Sequence, residues 1–320
     1  MRSFIAGIMR TGASAATGQA DDLLTACLLA ATAPVLLVPA MNDRMWAHKQ
    51  TAANVKHLRG LGYLVMDPGV GALASPQEGA GPGRMPEPEM IFAEIGRQLE
   101  PHGPLRGKRV VVTAGPTRES LDPVRFLSNQ SSGKMGVAIA AAAWRRGAEV
   151  VLIAGPLSVP TPQGLCVTRV VSTAEMANAV RSELADADIL VMAAAPADFR
   201  PAEIAASKMK KGQRPDAIAL TGTADILEST IDARRPGTIV VGFALETDDV
   251  IAHAQTKLAA KQLDFIVVND AREPGAGFGV DTNRVTILAP NAPPVALPLM
   301  SKLDVADAIL DHVELLLVGR

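Results

Sequence analysis

RVVVTAGPTRESLDPVRFLSNQSSGKMGVAIAAAAW, residues 109–144, decides the fold. Arg109–Ala114 is an apolar run of strand length with nothing charged after its first residue, as in a strand covered on both faces. Gly115-Pro116-Thr117 turns the chain, and residues 122–136 (DPVRFLSNQSSGKMG) form a polar loop that runs into an apolar helix at Val137–Trp144. A strand, a glycine-bearing loop and a helix N-terminus give an anion-binding geometry, because first-turn amides lack internal acceptors and the helix dipole favours negative charge there. Ser131, Ser132, Gly133 and Lys134 suit a phosphate or carboxylate; the same four residues read equally well as a capped helix with a solvated lysine. Neither a GxxxxGK[ST] loop nor a GxGxxG fingerprint is present, which argues against a nicotinamide-dependent oxidoreductase.

Alternation of strand-like and helix-like segments continues outward from this stretch. Strands are expected at 109–114, 149–154, 188–193, 238–243 and 264–268, and helices at 133–147, 174–185, 224–233, 249–262 and 302–317. That order predicts an α/β fold, a parallel sheet with helices on both faces and ligands at the C-terminal strand ends. Residues 285–288 and 295–297 are expected to pair antiparallel. Upstream, residues 1–30 read as helical, 34–39 as a buried strand, 45–59 as a helix, 68–86 as a long glycine- and proline-rich loop and 88–99 as a helix. Pro101–Gly107 (PHGPLRG) reads as a linker, dividing the chain into 1–104 and 105–320.

With 48% hydrophobic but 3% aromatic residues, the cores are expected to be built from Ala, Val, Leu and Ile. A net charge of −2 gives no nucleic-acid footprint. Cys27 and Cys166, in apolar-looking context, are too few for a disulfide framework and suggest a reducing compartment. No segment reaches membrane-spanning length, and the expected location is cytoplasmic.

Further segments carry possible chemistry. In Met192–Arg200 (MAAAPADFR), three alanines at a strand end permit close approach of a flat ring, and Asp198 is suited to a hydroxyl or a metal; small-residue packing is the plain alternative. Lys208-Met209-Lys210-Lys211 is either a solvated run or a loop that closes on a polyphosphate. Phe243, in Val241–Thr247 (VGFALET), is suited to stacking on a base or simply to a core. Lys257 and Lys261 share a helix face, where an anionic ligand would relieve their repulsion. The five histidines form no metal motif.

TAGPTRESLDPVRFLSNQSSGKMG, AAAPADFR, KMKK, GFALET and VNDAREPGAGFGVDTNRVTIL follow one another in an order that closely resembles the phosphopantothenate–cysteine ligase domain of coenzyme A biosynthesis, over residues 105–320. ATGQADDLL (16–24), PAMNDRMW (39–46) and GPGRMPEP (81–88) resemble the later part of the flavin-dependent phosphopantothenoylcysteine decarboxylase, often fused ahead of it. The resemblance implies a Rossmann-like ligase domain preceded by a flavodoxin-like flavoprotein domain. It implies CTP-dependent joining of 4′-phosphopantothenate to L-cysteine through an acyl-cytidylate, with Mg2+ accompanying the triphosphate. Asn129, Lys208 and Arg125 are implied as catalytic. Met192, Ala193, Ala194, Asp198, Ala224, Asp225, Ile226, Leu227, Phe243, Lys257 and Lys261 are implied around CTP, with Ser131, Ser132 and Gly133 as the phosphate loop. A homodimer through the ligase domain is implied as well. For the decarboxylase part, Asn42, Ser75, Arg84 and Met85 are implied as a remnant. That part is expected to be N-terminally truncated, lacking the family's flavin-binding strand–loop–helix and catalytic histidine, so that FMN binding and decarboxylation are not expected. Alternatives are an upstream start encoding the missing part, and a non-catalytic regulatory subunit related to the flavoproteins.

Overall fold

A computed structural model describes all residues except 1, 2, 8, 74–78, 100–102, 163, 210–216, 247–249, 271–274, 276, 278 and 320. The chain forms two compact units, Met1–Leu99 and Glu100–Arg320.

The first unit runs β1 (Ser3–Gly7), α1 (Met9–Thr17), α2 (Leu23–Ala30), β2 (Val35–Pro39), α3 (Asp43–Trp46), α4 (Lys49–Gly60), β3 (Leu64–Val65), β4 (Gly69–Ala72), β5 (Ala80–Arg84) and α5 (Pro88–Leu99). Strands β1, β2 and β3 form a parallel sheet with β2 central. Its alternating residues feed two small clusters, Val35 and Leu37 with Leu28 and Leu58, and Leu36 and Val38 with Met66. Two expectations change here. Residues 1–30 are not all helical, because SFIAG pairs with β2 along its length. The 68–86 stretch is not plain loop either: β4 and β5 form an antiparallel hairpin whose glycines are tolerated on a two-stranded ladder.

The second unit runs β6 (Arg109–Ala114), β7 (Arg118–Ser120), β8 (Phe126–Ser128), α6 (Lys134–Arg145), β9 (Glu149–Ala154), β10 (Cys166–Arg169), α7 (Thr173–Glu183), β11 (Ile189–Met192), β12 (Phe199–Pro201), β13 (Leu220–Gly222), α8 (Ile226–Ser229), β14 (Ile239–Glu246), α9 (Val250–Ala260), β15 (Phe265–Asp270), β16 (Thr282–Asn283), β17 (Thr286–Leu288), β18 (Val295–Ala296), β19 (Met300–Ser301) and α10 (Lys302–Val318). Its main sheet has the order β10-β9-β6-β11-β14-β15-β17-β18. The first six strands are parallel, and β17 and β18 add antiparallel at one edge. The parallel part has the doubly wound order 3-2-1-4-5-6, whose reversal lies between β6 and β11.

Period-two alternation divides the core. Val110, Val112 and Ala114 face one way with Leu152, Val191 and Val241, under α6 and α10. Val111, Ile153, Leu190 and Val240 face the other way, under α7 and α9. Each such fully buried aliphatic side chain is worth about 1.5–3 kcal/mol relative to exposure. The central strands therefore read as continuous apolar runs, while edge strand β10 keeps Cys166 and Arg169 exposed.

Three further corrections concern this unit. The 224–233 helix is a single turn, α8, followed by a 3-10 turn at Ile231–Ala233. Two hairpins, β7–β8 and β12–β13, leave the main sheet where polar loop was expected. Cys27 and Cys166 are both exposed rather than apolar-packed.

Candidate functional site

The site is built at the C-terminal ends of the parallel strands. Helix α6 begins directly after Gly133, whose φ of +80° suits a residue without a side chain. Gly136 lets the first turn rest on the end of β6: a Cβ there would lie 2.6 Å from both Thr113 O and Ala114 Cβ. Ser131 Oγ accepts from the Gly133 amide at 3.3 Å, and Ser132 Oγ from the Lys134 amide at 3.4 Å. These long bonds occupy two amides at the helix start, so the 131–133 loop is partly self-capped. The first turn carries no acidic residue to offset the positive end of the dipole.

The loop after β11 is held from behind by buried hydroxyls. Thr113 Oγ1 accepts from the Ala194 amide at 3.1 Å, and Thr117 Oγ1 from the Ala197 amide at 2.9 Å. The Ala195 amide donates to Gly115 O at 2.9 Å, joining the loops on either side of the switch point. The Thr117 and Thr173 hydroxyls are 2.8 Å apart, and buried Glu119 accepts from both the amide and the hydroxyl of Thr173. Thr223 Oγ1 donates to Ala197 O at 2.6 Å. Asn129 Nδ2 donates to Pro196 O at 2.9 Å and Ala195 O at 3.3 Å, tying the segment before α6 to the same loop. A fully satisfied polar network of this kind rigidifies the loop, while its alanines leave space in front of it.

That space is a cavity of about 580 Å3. Its walls bring together Asn129, Ser131, Ser132, Gly133, Met192, Ala193, Ala194, Asp198, Ala224, Asp225, Ile226, Leu227, Phe243, Lys257 and Lys261. Thus fifteen residues singled out from separate segments share one wall system at the switch point. Lys261 Nζ lies 2.6 Å from Asp225 Oδ2, and Asp225 also caps α8 by accepting from the Glu228 amide at 3.1 Å. Burial pushes the Asp225 carboxyl up, but the Lys261 and backbone hydrogen bonds outweigh it and leave the group below its ordinary value. The Lys257–Lys261 repulsion is thereby relieved from within the protein.

Lys134, read from the sequence with Ser131–Gly133, lines the cavity too, as do Asn269, Asn283 and Lys302, which were not assigned to it from the sequence. Lys302 is buried, and its ammonium donates to the carbonyls of Gly277 at 3.0 Å, Thr282 at 3.1 Å and Val280. Burial, with Lys134 nearby, lowers its pKa. Lys134 turns to Asp281 Oδ1 at 2.6 Å and Gly279 O at 2.8 Å. The available signal was the Ser301-Lys302 start of an apolar helix, where Ser301 caps by accepting from the Asp304 amide.

Lys208 and Arg125 are not among the cavity walls. Lys208 is exposed, and Arg125 is bound to Asp122 and to Met209 O. Lys210, Lys211 and Ser75 lie outside the described residues. In the first unit Asn42 caps α3 by accepting from the Arg44 amide at 2.9 Å, Arg84 pairs with Glu87 at 2.8 Å, and Met85 is exposed. The Met41 amide donates to Gly83 O at 2.9 Å, which sets the PAMND turn against the GPGR strand.

Among the described residues no group of three His, Cys, Asp or Glu side chains is placed to hold a metal, and no helix is long and apolar enough to cross a membrane.

A family model described as DNA/pantothenate metabolism flavoprotein C-terminal domain matches residues 105–316, and one described as Flavoprotein matches residues 9–100. The chain is 48% identical over 301 residues to the coenzyme A biosynthesis bifunctional protein CoaBC of Bacillus subtilis (strain 168), spanning 93% of this chain and 73% of that one. It is 45% identical over 322 residues to the protein of that name from Mycobacterium tuberculosis (strain ATCC 25618 / H37Rv), spanning 96% and 76%. A crystal structure of the C-terminal domain of coenzyme A biosynthesis bifunctional protein CoaBC aligns with a TM-score of 0.58 at 37% identity, over 68% of this chain and 100% of that one. The chain therefore belongs to the family of the coenzyme A biosynthesis bifunctional protein CoaBC, with a flavoprotein domain followed by a DNA/pantothenate metabolism flavoprotein C-terminal domain.

Proposed function

We propose that residues 100–320 catalyse the CTP-dependent ligation of 4′-phosphopantothenate to L-cysteine. The observation that carries this reading is the 580 Å3 cavity, in which Lys257, Lys261 and the α6 N-terminus face a floor of alanines. It lies within the usual range of small-molecule pockets, about 300–1,000 Å3, and its positive groups suit two anions held together. A carboxylate is inert toward an amine until its oxygen joins a good leaving group. In the first half-reaction the phosphopantothenate carboxylate oxygen bonds to the CTP α-phosphorus and pyrophosphate leaves. In the second the cysteine amine bonds to the acyl carbon, the C–O bond to the nucleotide breaks, CMP leaves and the amine gives up its proton.

Lys257 and Lys261 would take the negative charge of the nucleotide, and Phe243 would pack on its base. Lys208 would act on the triphosphate from its exposed segment, and Arg125 and Asn129 would hold the activated acyl group. Mg2+ would enter with the triphosphate; such an ion needs only one or two protein carboxylates, and Asp198 stands on the wall to supply one. Val124, Phe126, Phe199, Ile204, Ile218 and Leu220 are exposed on or beside the two hairpins. That apolar surface supports a homodimer through this unit. Two exposed free thiols fit a reducing, cytoplasmic setting.

For residues 1–99 the family supports flavin-dependent decarboxylation. The cavity at the C-terminal end of β2, lined by Thr11, Gly12, Ala13, Pro39 and Met41 among others, measures about 50 Å3. A flavin needs a slot of several hundred, about 300 Å3 or more, which this strand-end cavity is too small to provide; the clefts of about 310 Å3 beside Lys56 and Arg59 and about 400 Å3 beside Arg84 and Phe92 lie off the Thr11–Ala13 segment, and no step is routed through a flavin. A preparation without flavin absorbance is the expected outcome, and one flavin per chain would overturn it.

The ligase reading is tested with the purified chain. CTP should yield pyrophosphate only when 4′-phosphopantothenate is present, and CMP only when L-cysteine is added too. Equal turnover with pantothenate lacking its phosphate would overturn the substrate assignment.

A further inference from the structure

Arg125 and the Lys208 segment lie outside the cavity walls, yet one buried carboxylate joins them. Asp122 has a fully buried side chain. Its Oδ1 accepts from the amides of Val124 at 2.8 Å and Arg125 at 2.9 Å, closing the 122–125 turn. Its Oδ2 accepts from Arg125 Nε at 2.9 Å, from Arg125 Nη2 at 2.5 Å, and from the Met209 amide at 3.2 Å. Arg125 Nη2 also donates to Met209 O at 3.0 Å, so both backbone polar groups of Met209 are held. A second tie lies upstream, where the Ala205 amide donates to Leu121 O at 3.0 Å. The Arg125 guanidinium beside Asp122 outweighs the carboxylate's burial and holds it well below the usual range.

The arrangement has a direction. One carboxylate oxygen serves the turn, and the other serves the bridge to a segment 87 residues away. Charge-assisted bonds to a buried carboxylate are about twice as strong as neutral ones, and a buried acceptor stripped of its donors is costly. Met209 is the immediate neighbour of Lys208, so fixing its backbone limits where the Lys208 ammonium can go. The Lys208 side chain has no other anchor of this kind among the hydrogen bonds of the described residues.

We propose that Asp122 is a positioning residue: its buried carboxylate clasps Arg125 and the backbone of Met209 so that Lys208 is presented for the nucleotide step. This rests on the ligase reading for its kinetic consequence, but not for the clasp itself. Asp122→Asn tests it selectively, since an amide keeps one oxygen for the turn and sets an NH2 against the donors of the bridge.

Two readouts separate the possibilities in the full chain. Limited trypsin cleavage after Lys208 should be about tenfold faster in Asp122→Asn, as expected when charge-assisted bonds are lost. Pyrophosphate release from CTP and 4′-phosphopantothenate should slow by about the same factor. In a Lys208→Gln background, Asp122→Asn should add almost nothing to the kinetic loss, because both changes act through one group. A merely structural role would instead give additive losses. Should Asp122→Asn not fold, Arg125→Gln, which removes the Met209 O contact while leaving the Asp122 turn, should give a smaller acceleration of cleavage. Cleavage unchanged in the folded variants would overturn the clasp. Faster cleavage in a chain whose wild type never ligates would leave the clasp standing and overturn the function.

Discussion

Residues 35–39 and 109–114 are similar objects in sequence, short apolar runs followed by glycine- or proline-bearing turns and a helix. They meet different fates. In the first unit β2 is the centre of three strands, and the cavity at its C-terminal end holds about 50 Å3. In the second unit β6 sits inside an eight-stranded sheet, beside the point where the strand order reverses, and the cavity there holds about 580 Å3. At a reversal the loops from adjacent strands leave toward opposite faces, which opens a crevice that a short one-directional sheet lacks. Burial differs in the same sense. Leu190 and Val191 are wholly buried, whereas Leu23, Leu29 and Phe92 of the first unit are 82%, 62% and 60% exposed. A site therefore depends less on the strand motif than on how many strands flank it.

The largest contrast between the two units is expected from truncating one leucine in each. Leu190→Ala, within the second core, should cost about 2–5 kcal/mol by loss of transfer energy and by the void left behind. Leu29→Ala, on the exposed face of α2, should change stability by less than about 0.5 kcal/mol. Denaturant melts of the two variants check it, and equal losses would mean that the first unit is packed in a way its exposures do not reflect.

A smaller effect is expected at the cavity wall. Lys261→Met removes both a cationic group and the partner of Asp225, leaving a half-buried carboxylate on the wall of the proposed nucleotide cavity. CTP affinity, read by calorimetry, should fall about tenfold, the loss of one good charged contact. Unchanged affinity would move the nucleotide away from this wall.

The smallest effect concerns pH. His312 on α10 packs edge-on to Phe265 with ring centroids 4.7 Å apart, and burial lowers its pKa. Its Nε2 has no hydrogen-bond partner among the described residues. The folded state thus prefers the neutral ring, and the unfolded chain takes up the proton first as pH falls through about 6.5. Stability from this group is present above that pH and lost below it. His312→Gln should reduce the fall in melting temperature between pH 7 and pH 5 by about 1–2 °C. An equal or larger fall in the variant would contradict the burial argument.

Much of the second unit was legible because its central strands are wholly buried and so read as unbroken apolar runs. Arg109–Ala114 and Glu149–Ala154 pair residue for residue along their length. The hairpins were not legible, since their residues are mostly exposed and their pairing is set by tertiary contacts such as the Arg118 amide donating to Val171 O at 2.7 Å. SFIAG in the first unit escaped because five residues with one flank apolar look the same in a helix or a strand. For the site, residues with a local signature surfaced, among them Ser131–Gly133 and Met192–Asp198. Lys302 and Asn283 did not, because they reach the cavity from strands and a helix far along the chain. Asp122 stands within the loop motif, but its partner Met209 is supplied only by folding.

If ligation takes place in the second unit's cavity, in front of the alanine floor, a bulky side chain on that floor should stop it. Ala194 is the residue to alter, since its amide is held by Thr113 and its small side chain borders the open space. Ala194→Leu should leave the melting transition within a few degrees of wild type, because Ala194 is only partly buried and borders the cavity. In the same sample, pyrophosphate release from CTP and 4′-phosphopantothenate should fall at least about a hundredfold, as expected when a bulky group occupies a close-contact floor. Ligation at the wild-type rate by a folded Ala194→Leu chain would place the chemistry elsewhere.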